Sequence, residues 1–386
     1  WTYDSGASVT PTGNLTLYGV CRNNITLDNS GATTAGSTSA TVAYNATALS
    51  TITLPQRKYT VSGFTKTTSA TNSTVSSTST LTNTATFNGW YTATSGGTKI
   101  AAGGSDTTPD LQASTSYTDA NKKWTYTTAG AVTLHSQWTD NAVTLPTITR
   151  TGSTCGWSTS STATTITYAS GASYTPTANT TLYGVCVNNI TLDRNGGNAG
   201  STSATVNYNA TTLSSITVPT KSNTSYTVSG FTKTTSATNS TVSSTSNLTS
   251  TQTYTFNGWY KDATSANNAT AANKIANTAA TPALTSSTSA TGNIYTNSSS
   301  QWTYTTAQAV TLYAGWTSSG YSSVTLPTIT RTGSTCGWAT SSTATTITYA
   351  SGASYTPTAN TTLYGVCVTN VTLDNSGATT AGSTSA

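Results

Sequence analysis

Four cysteines have the types and spacing to do chemistry. Cys155 stands before Gly156-Trp157 and Cys186 ends the run LYGVC; Cys336 and Cys367 repeat both contexts at the same separation. Equal spacing in two copies reads as a disulfide within each copy, Cys155 to Cys186 and Cys336 to Cys367. Such a bridge closes a loop of roughly 32 residues and stabilises by roughly 3 to 4 kcal/mol in the chain-entropy picture. The competing readings are free buried thiols and a metal site, and neither a CxxC pair nor a histidine cluster accompanies these cysteines. Cys21 aligns with Cys186 and Cys367 and is unpaired in this chain, so its expected partner lies upstream of Trp1.

Other candidate groups are sparse. His135 is the single histidine and stands where the second copy has Tyr313, so its position needs no imidazole. The nine acidic residues are scattered aspartates, a poor start for paired-carboxylate hydrolysis. Asp28, Asp193 and Asp374 each follow Thr-Leu before a glycine-containing turn. Capping of the turn is the plain reading, and a calcium site would need more oxygen donors. Lys66 and Lys233 recur in SGFTKTTSATNSTVSSTS, the one place where an intramolecular lysine crosslink could be sought. Trp90, Trp157, Trp259 and Trp338 follow glycine at equal points of each unit and read as core, with Trp138 and Trp316 closing their strands. Exposed tyrosines such as Tyr321 are left as candidates for interfaces. The expectation is a protein that is not an enzyme and holds no cofactor or metal.

The stretch Val143 to Asp193 returns almost unchanged at Val324 to Asp374, and its second half opens the chain. The linear division that follows is a partial disulfide module at 1–21, long modules at 22–142 and 188–322, disulfide modules at 143–187 and 323–368, and the start of another long module at 369–386. Residues 1–40 nearly match 347–386, so the simplest expectation is a window on a longer tandem array. A terminal unit completed by a neighbouring chain is the alternative.

Composition narrows the class. Charged residues make up 6%, hydrophobic residues 34%, and there are 21 tyrosines and nine tryptophans. That is enough apolar material for a packed core and not the high charge of a disordered chain. The net charge of +5 is spread as isolated cations, with Lys122-Lys123 explained by a solvated loop, so no basic patch suggests nucleic acid. No apolar run nears the roughly 20 residues that span a bilayer. Disulfides and scarce charge point to an oxidising extracellular setting. Asn-X-Ser/Thr sequons such as Asn14, Asn24, Asn45, Asn189, Asn239 and Asn360 arise by chance in so Asn-, Ser- and Thr-rich a chain, and signal glycosylation only weakly.

Thr, Val, Tyr and Ile favour strands, with Gly, Asn and Ser in turns. Expected strands include Ile25 to Asp28, Ala40 to Tyr44, Thr51 to Leu54, Tyr59 to Phe64, Phe87 to Tyr91, Trp124 to Tyr126 and Ala131 to Trp138. Val310, Leu312, Ala314 and Trp316 alternate onto one face, as in a sheet with one buried side. The Ser/Thr tract 65–82 reads as an exposed loop or an extended edge. Trp90 to Trp138 spans 48 residues against 57 for Trp259 to Trp316, and the difference falls after the GWY phrase, which marks a surface loop. One short helix is possible at 111–123.

At FNGWY followed by AVTLHSQW, and at FNGWY followed by AVTLYAGW, the chain resembles the Listeria-Bacteroides repeat family, the B-repeat-like modules of internalin-type surface proteins. The stretch Thr191 to Thr227 is similar to that family's leading strand pair. The disulfide unit looks like a compact version, with Cys155 and Cys186 where the long unit has Phe87 and Trp138. The resemblance implies an all-β array of small β-grasp-like or sandwich modules, alternate modules carrying a disulfide, on a secreted or surface-anchored prokaryotic protein. The function expected is a structural extracellular shaft or filament whose partners are neighbouring repeats or identical chains. The rival is an adhesin that binds a host protein or glycan through the loops Thr92 to Lys123 and Lys261 to Gln301.

Overall fold

The computed structural model describes residues 2–287 and 292–386 and is nearly all β. It divides into two compact units, the first Trp1–Val187 with Thr305–Gln308, the second Asn188–Tyr304 with Ala309–Ala386.

The first unit holds two cores. Around one, Arg22–Asp28 pairs antiparallel with Ser39–Ala43 and parallel with Val132–Thr139. Val132–Thr139 then pairs antiparallel with Thr86–Tyr91, which pairs with Lys99–Ala102 at the edge. Two hairpins thus flank a parallel central pair, the β-grasp-like order. Alternation puts Ile25 and Leu27, Val132 and Leu134, and Trp90 on one face. Among the described residues no helix covers that face. Extended chain carrying Leu49 and Ile52, and the loop carrying Leu111 and Trp124, lie across it instead.

Expected strands at 51–54 and 124–126 are absent for this reason. Thr53, Pro109 and Thr107 carbonyls accept single bonds from Ser37, Leu49 and Ile52, so the covering chain is tied by isolated bonds and no ladder forms. Nor is there a helix at 111–123; Thr118 and Trp124 form a bridge, and Tyr117 stacks on Trp124 at 5.5 Å. Short helical segment occurs instead in the longer loop of the second copy, Ala263–Asn267, where Asp262 caps Ser265 N–H.

The second core repeats the first in topology. Lys58–Lys66 pairs antiparallel with Leu81–Thr84 and parallel with Thr180–Asp193, by way of its residues 180–184. Ser153–Ser158 lies on the other side of that strand, with Tyr168–Ala169 at the edge. This is again hairpin, parallel central pair, hairpin. Its core joins Val61, Phe64 and Ala70 to Leu145, Ile148, Trp157, Leu182 and the two cysteines.

The core of the 143–187 segment is therefore not built from 143–187 alone. Residues 58–84, inside the linear span 22–142, supply its leading hairpin. The two modules are interleaved: leading hairpin of the first, leading hairpin of the second, closing strands of the first, closing strands of the second. The Ser/Thr tract is exposed chain at 76–80 and joins an edge strand at Leu81–Thr84, as expected, but its first half is not. Ala70, Ser69, Thr67 and Ser73 are buried within it, with a 3-10 turn at Thr68–Ala70.

The second unit repeats this plan. One core gathers around Ile190, Leu192, Trp259, Trp302, Val310 and Leu312, the other around Val228, Phe231, Trp338, Leu363 and the Cys336–Cys367 pair. Here Leu248–Tyr260 is one continuous strand that serves both, pairing with Thr224–Lys233 and then with Val310–Tyr321.

Candidate functional site

The features that repeat most strictly lie where the inserted hairpin meets the closing strands. Cys155 is bonded to Cys186 and Cys336 to Cys367, with Cα atoms 4.1 Å apart in both. Cys336 and Cys367 stand directly opposite in register. Phe87 and Trp138 stand opposite in the same way, as do Phe256 and Trp316, with rings 5.1 and 5.7 Å apart. An aromatic pair and a disulfide thus occupy equivalent places. The aromatic phrase has one residue more before its tryptophan, and the register shift between Phe87 and Gly89 absorbs it as a bulge at Asn88.

Behind the disulfide, Trp157 is fully buried, donates its indole N–H to the Pro146 carbonyl at 2.9 Å, and meets Phe64 edge-on at 5.1 Å. Phe64 comes from the inserted hairpin and sits at φ +49, after Gly63 at φ +91, where the parallel register slips by one. A Cβ on Gly63 would lie 2.7 Å from the Leu182 carbonyl oxygen, so only glycine fits. Phe231, Gly230 and Trp338 repeat the arrangement.

Hydroxyls of the Ser/Thr tract satisfy the closing strand. Thr67 donates to the Gly184 carbonyl, and Ser69 accepts from Cys186 N–H. Thr234 and Ser236 do the same for Gly365 and Cys367. Arg150 then staples the two segments. It is 6% exposed, donates Nη1 to the Ser69 and Thr71 carbonyls at 2.6 and 3.2 Å, and Nε to Ser153 Oγ. Burial pushes its guanidinium below the ordinary value. Arg331 makes the matching bonds to Ser236, Thr238 and Ser334. This arginine was not singled out from sequence, although its signal, the repeated TRTG phrase, was in view.

Of the other singled-out residues, Trp90, Trp157, Trp259 and Trp338 are fully buried, while Trp138 and Trp316 are half-buried at the rims of their cores. Trp124 and Trp302, which sequence did not place in the core, are fully buried too. Cys21 is exposed and free, and Leu15, Leu17, Tyr18 and Val20 beside it are exposed. Asp193 and Asp374 accept the backbone N–H two residues on, as turn caps. Asp28 Oδ2 instead accepts from Ser30 Oγ at 2.6 Å and lies 2.7 Å from His135 Nδ1. The Ser30 hydroxyl and then His135 hold the Asp28 carboxyl below its usual value. Because Ser30 bonds the carboxylate and not the imidazole, the order of a nucleophile relay is not met. Lys66 and Lys233 donate Nζ to the Ser73 and Ser240 carbonyls.

Residues 125–185 and 317–366 match the Listeria-Bacteroides repeat domain. Both matches contain the TRTG phrase, the Cys-Gly-Trp phrase and LYGV. The FNGWY phrases lie outside both, and AVTLHSQW falls inside the first, so the family pattern centres on the disulfide module. Comparison with curated proteins and with solved structures found no match. Among the described residues, no helix is long and apolar enough to cross a membrane.

Proposed function

We propose that this chain is a structural extracellular repeat protein, a segment of a surface shaft or filament of a prokaryotic cell. Interleaving carries the reading. Because part of the neighbouring module lies between each leading hairpin and its closing strands, the folded state of one core holds the two halves of the other close together and lowers the entropy cost of keeping them joined. A disulfide in one module of each pair removes further conformational freedom. Low charge and a hydroxyl-rich surface suit exposure without non-specific ionic contacts. Listeria-Bacteroides repeats and disulfides support the surface and oxidising setting. The reading assigns no catalysis, and the repeating polar groups serve backbone carbonyls and N–H groups.

The adhesin alternative loses part of its proposed surface, because the loops Thr92 to Lys123 and Lys261 to Gln301 spend Ile100, Leu111, Ile275 and Leu284 on the cores. In the second loop, residues 288–291 lie outside the described residues. Electron microscopy of native material tests the shaft. Uniform fibres with a regular axial period are expected; compact separate particles would sink the reading.

A further inference from the structure

The place where the two cores of the second unit meet is built differently from its counterpart in the first. Pro219 to Tyr226 spans seven residues where Pro55 to Tyr59 spans four, and Trp316 to Val324 spans eight where Trp138 to Val143 spans five. The added residues lengthen the hairpin, whose register brings Gln252 opposite Tyr321. Tyr226 and Tyr321 stack nearly parallel with ring centres 4.3 Å apart. Lys221 Nζ stands 4.5 Å over the Tyr254 ring and 5.9 Å from Trp316. Thr224 Oγ1 lies 3.1 Å from the Tyr321 hydroxyl and 3.4 Å from that of Tyr254, which donates to Gln252 at 2.9 Å. In the first unit the same place holds the Arg57–Asp140 ion pair, with Arg57 over Tyr59.

We propose that this tyrosine cluster is a binding platform for a neutral glycan. Flat rings with electron-rich faces suit the C–H face of a pyranose, and all three tyrosines are only half-buried. Most of the converging groups are hydroxyls and an amide, which both donate and accept, as sugar hydroxyls require; Lys221 is the one cation among them, and the charged probe below tests whether it makes the site one for anions. The platform goes beyond the shaft reading and does not depend on it.

The test is affinity electrophoresis of the whole chain against cellohexaose, maltohexaose and chitohexaose conjugates, with dextran sulfate as the charged probe. Retention by at least one neutral probe is expected, reduced tenfold or more in Tyr321→Ala and Tyr254→Ala. Tyr59→Ala, at the ion-paired site, is expected to leave it unchanged. Tyr321→Phe, which keeps the stack and loses the hydroxyl, is expected to weaken retention several-fold and serves if the alanine variants misfold. No retention by any neutral probe, retention of dextran sulfate alone, or retention indifferent to Tyr321→Ala, Tyr254→Ala and Tyr321→Phe would overturn the proposal.

Discussion

The two modules of the first unit reach the same topology by unequal means. Among the described residues the long module buries fourteen hydrophobic residues in its core and the disulfide module nine. The larger core joins its two closing strands with Phe87 and Trp138; the smaller one uses Cys155 and Cys186 at the equivalent place. Small cores fall short of the apolar burial needed for independent stability, and a covalent link is a common remedy. The difference teaches that the disulfide marks where packing is least able to hold the fold.

The largest test of that contrast removes the tryptophan behind each pair. Trp157→Ala and Trp90→Ala each delete a fully buried indole, costing roughly 3 to 5 kcal/mol. In the smaller core that exceeds what its remaining packing can absorb. We expect Trp157→Ala to release amide protection across 58–84 and 143–187 together, by hydrogen exchange, while 22–43 and 132–139 stay protected. Protection lost in 143–187 with 58–84 unaffected would break the interleaved description.

Next in size is the bridge itself. Replacing Cys155 and Cys186 by alanine is expected to cost about 2 to 5 kcal/mol, seen as an earlier denaturation of the disulfide module. Converting Phe87 and Trp138 to cysteines sharpens the comparison from the other side. If the positions are equivalent, non-reducing peptide mapping will find them joined. Arg150→Ala comes third. It strands the buried Ser69 carbonyl, a loss of roughly 1 to 3 kcal/mol for a buried unpaired group, and should loosen the 3-10 turn before the strands.

Much of this was open to reading in the chain. The expected runs Ile25 to Asp28 and Tyr59 to Phe64 and the alternation from Val310 to Trp316 fall within the observed strands Arg22–Asp28, Lys58–Lys66 and Val310–Tyr321, and equal spacing placed both disulfides. The interleaving was hidden because the tract 65–82 has no hydrophobic period; its burial rests on Thr67 and Ser69, whose hydroxyls serve backbone groups only once the closing strand is in place. Trp124 was missed as core because it stands in a loop with no alternation around it. In the sequence Arg150 is one of many isolated cations, because its burial against carbonyls is a property of the fold and not of charge density. The tyrosine cluster likewise depends on two separate lengthenings meeting in space.

The smallest expected effect separates the long modules of the two units. Asp28 is held by Ser30 and His135, whereas the second unit has Asp193 with Tyr313 in the imidazole's place. A carboxyl whose folded value is lowered binds fewer protons when folded than when unfolded. Its stabilisation is therefore complete above the unfolded carboxylate range and fades as pH falls toward the lowered folded value. Stability of the first long module should decline on acidification through about pH 4 and below, and Asp28→Asn should flatten that decline. The side chain is 38% exposed, so the change is small, and salt should reduce it further. Urea midpoints measured against pH for the parent and Asp28→Asn read it directly. An acid limb unchanged by the substitution would mean that the Ser30 and His135 contacts hold the turn's shape without contributing to its stability.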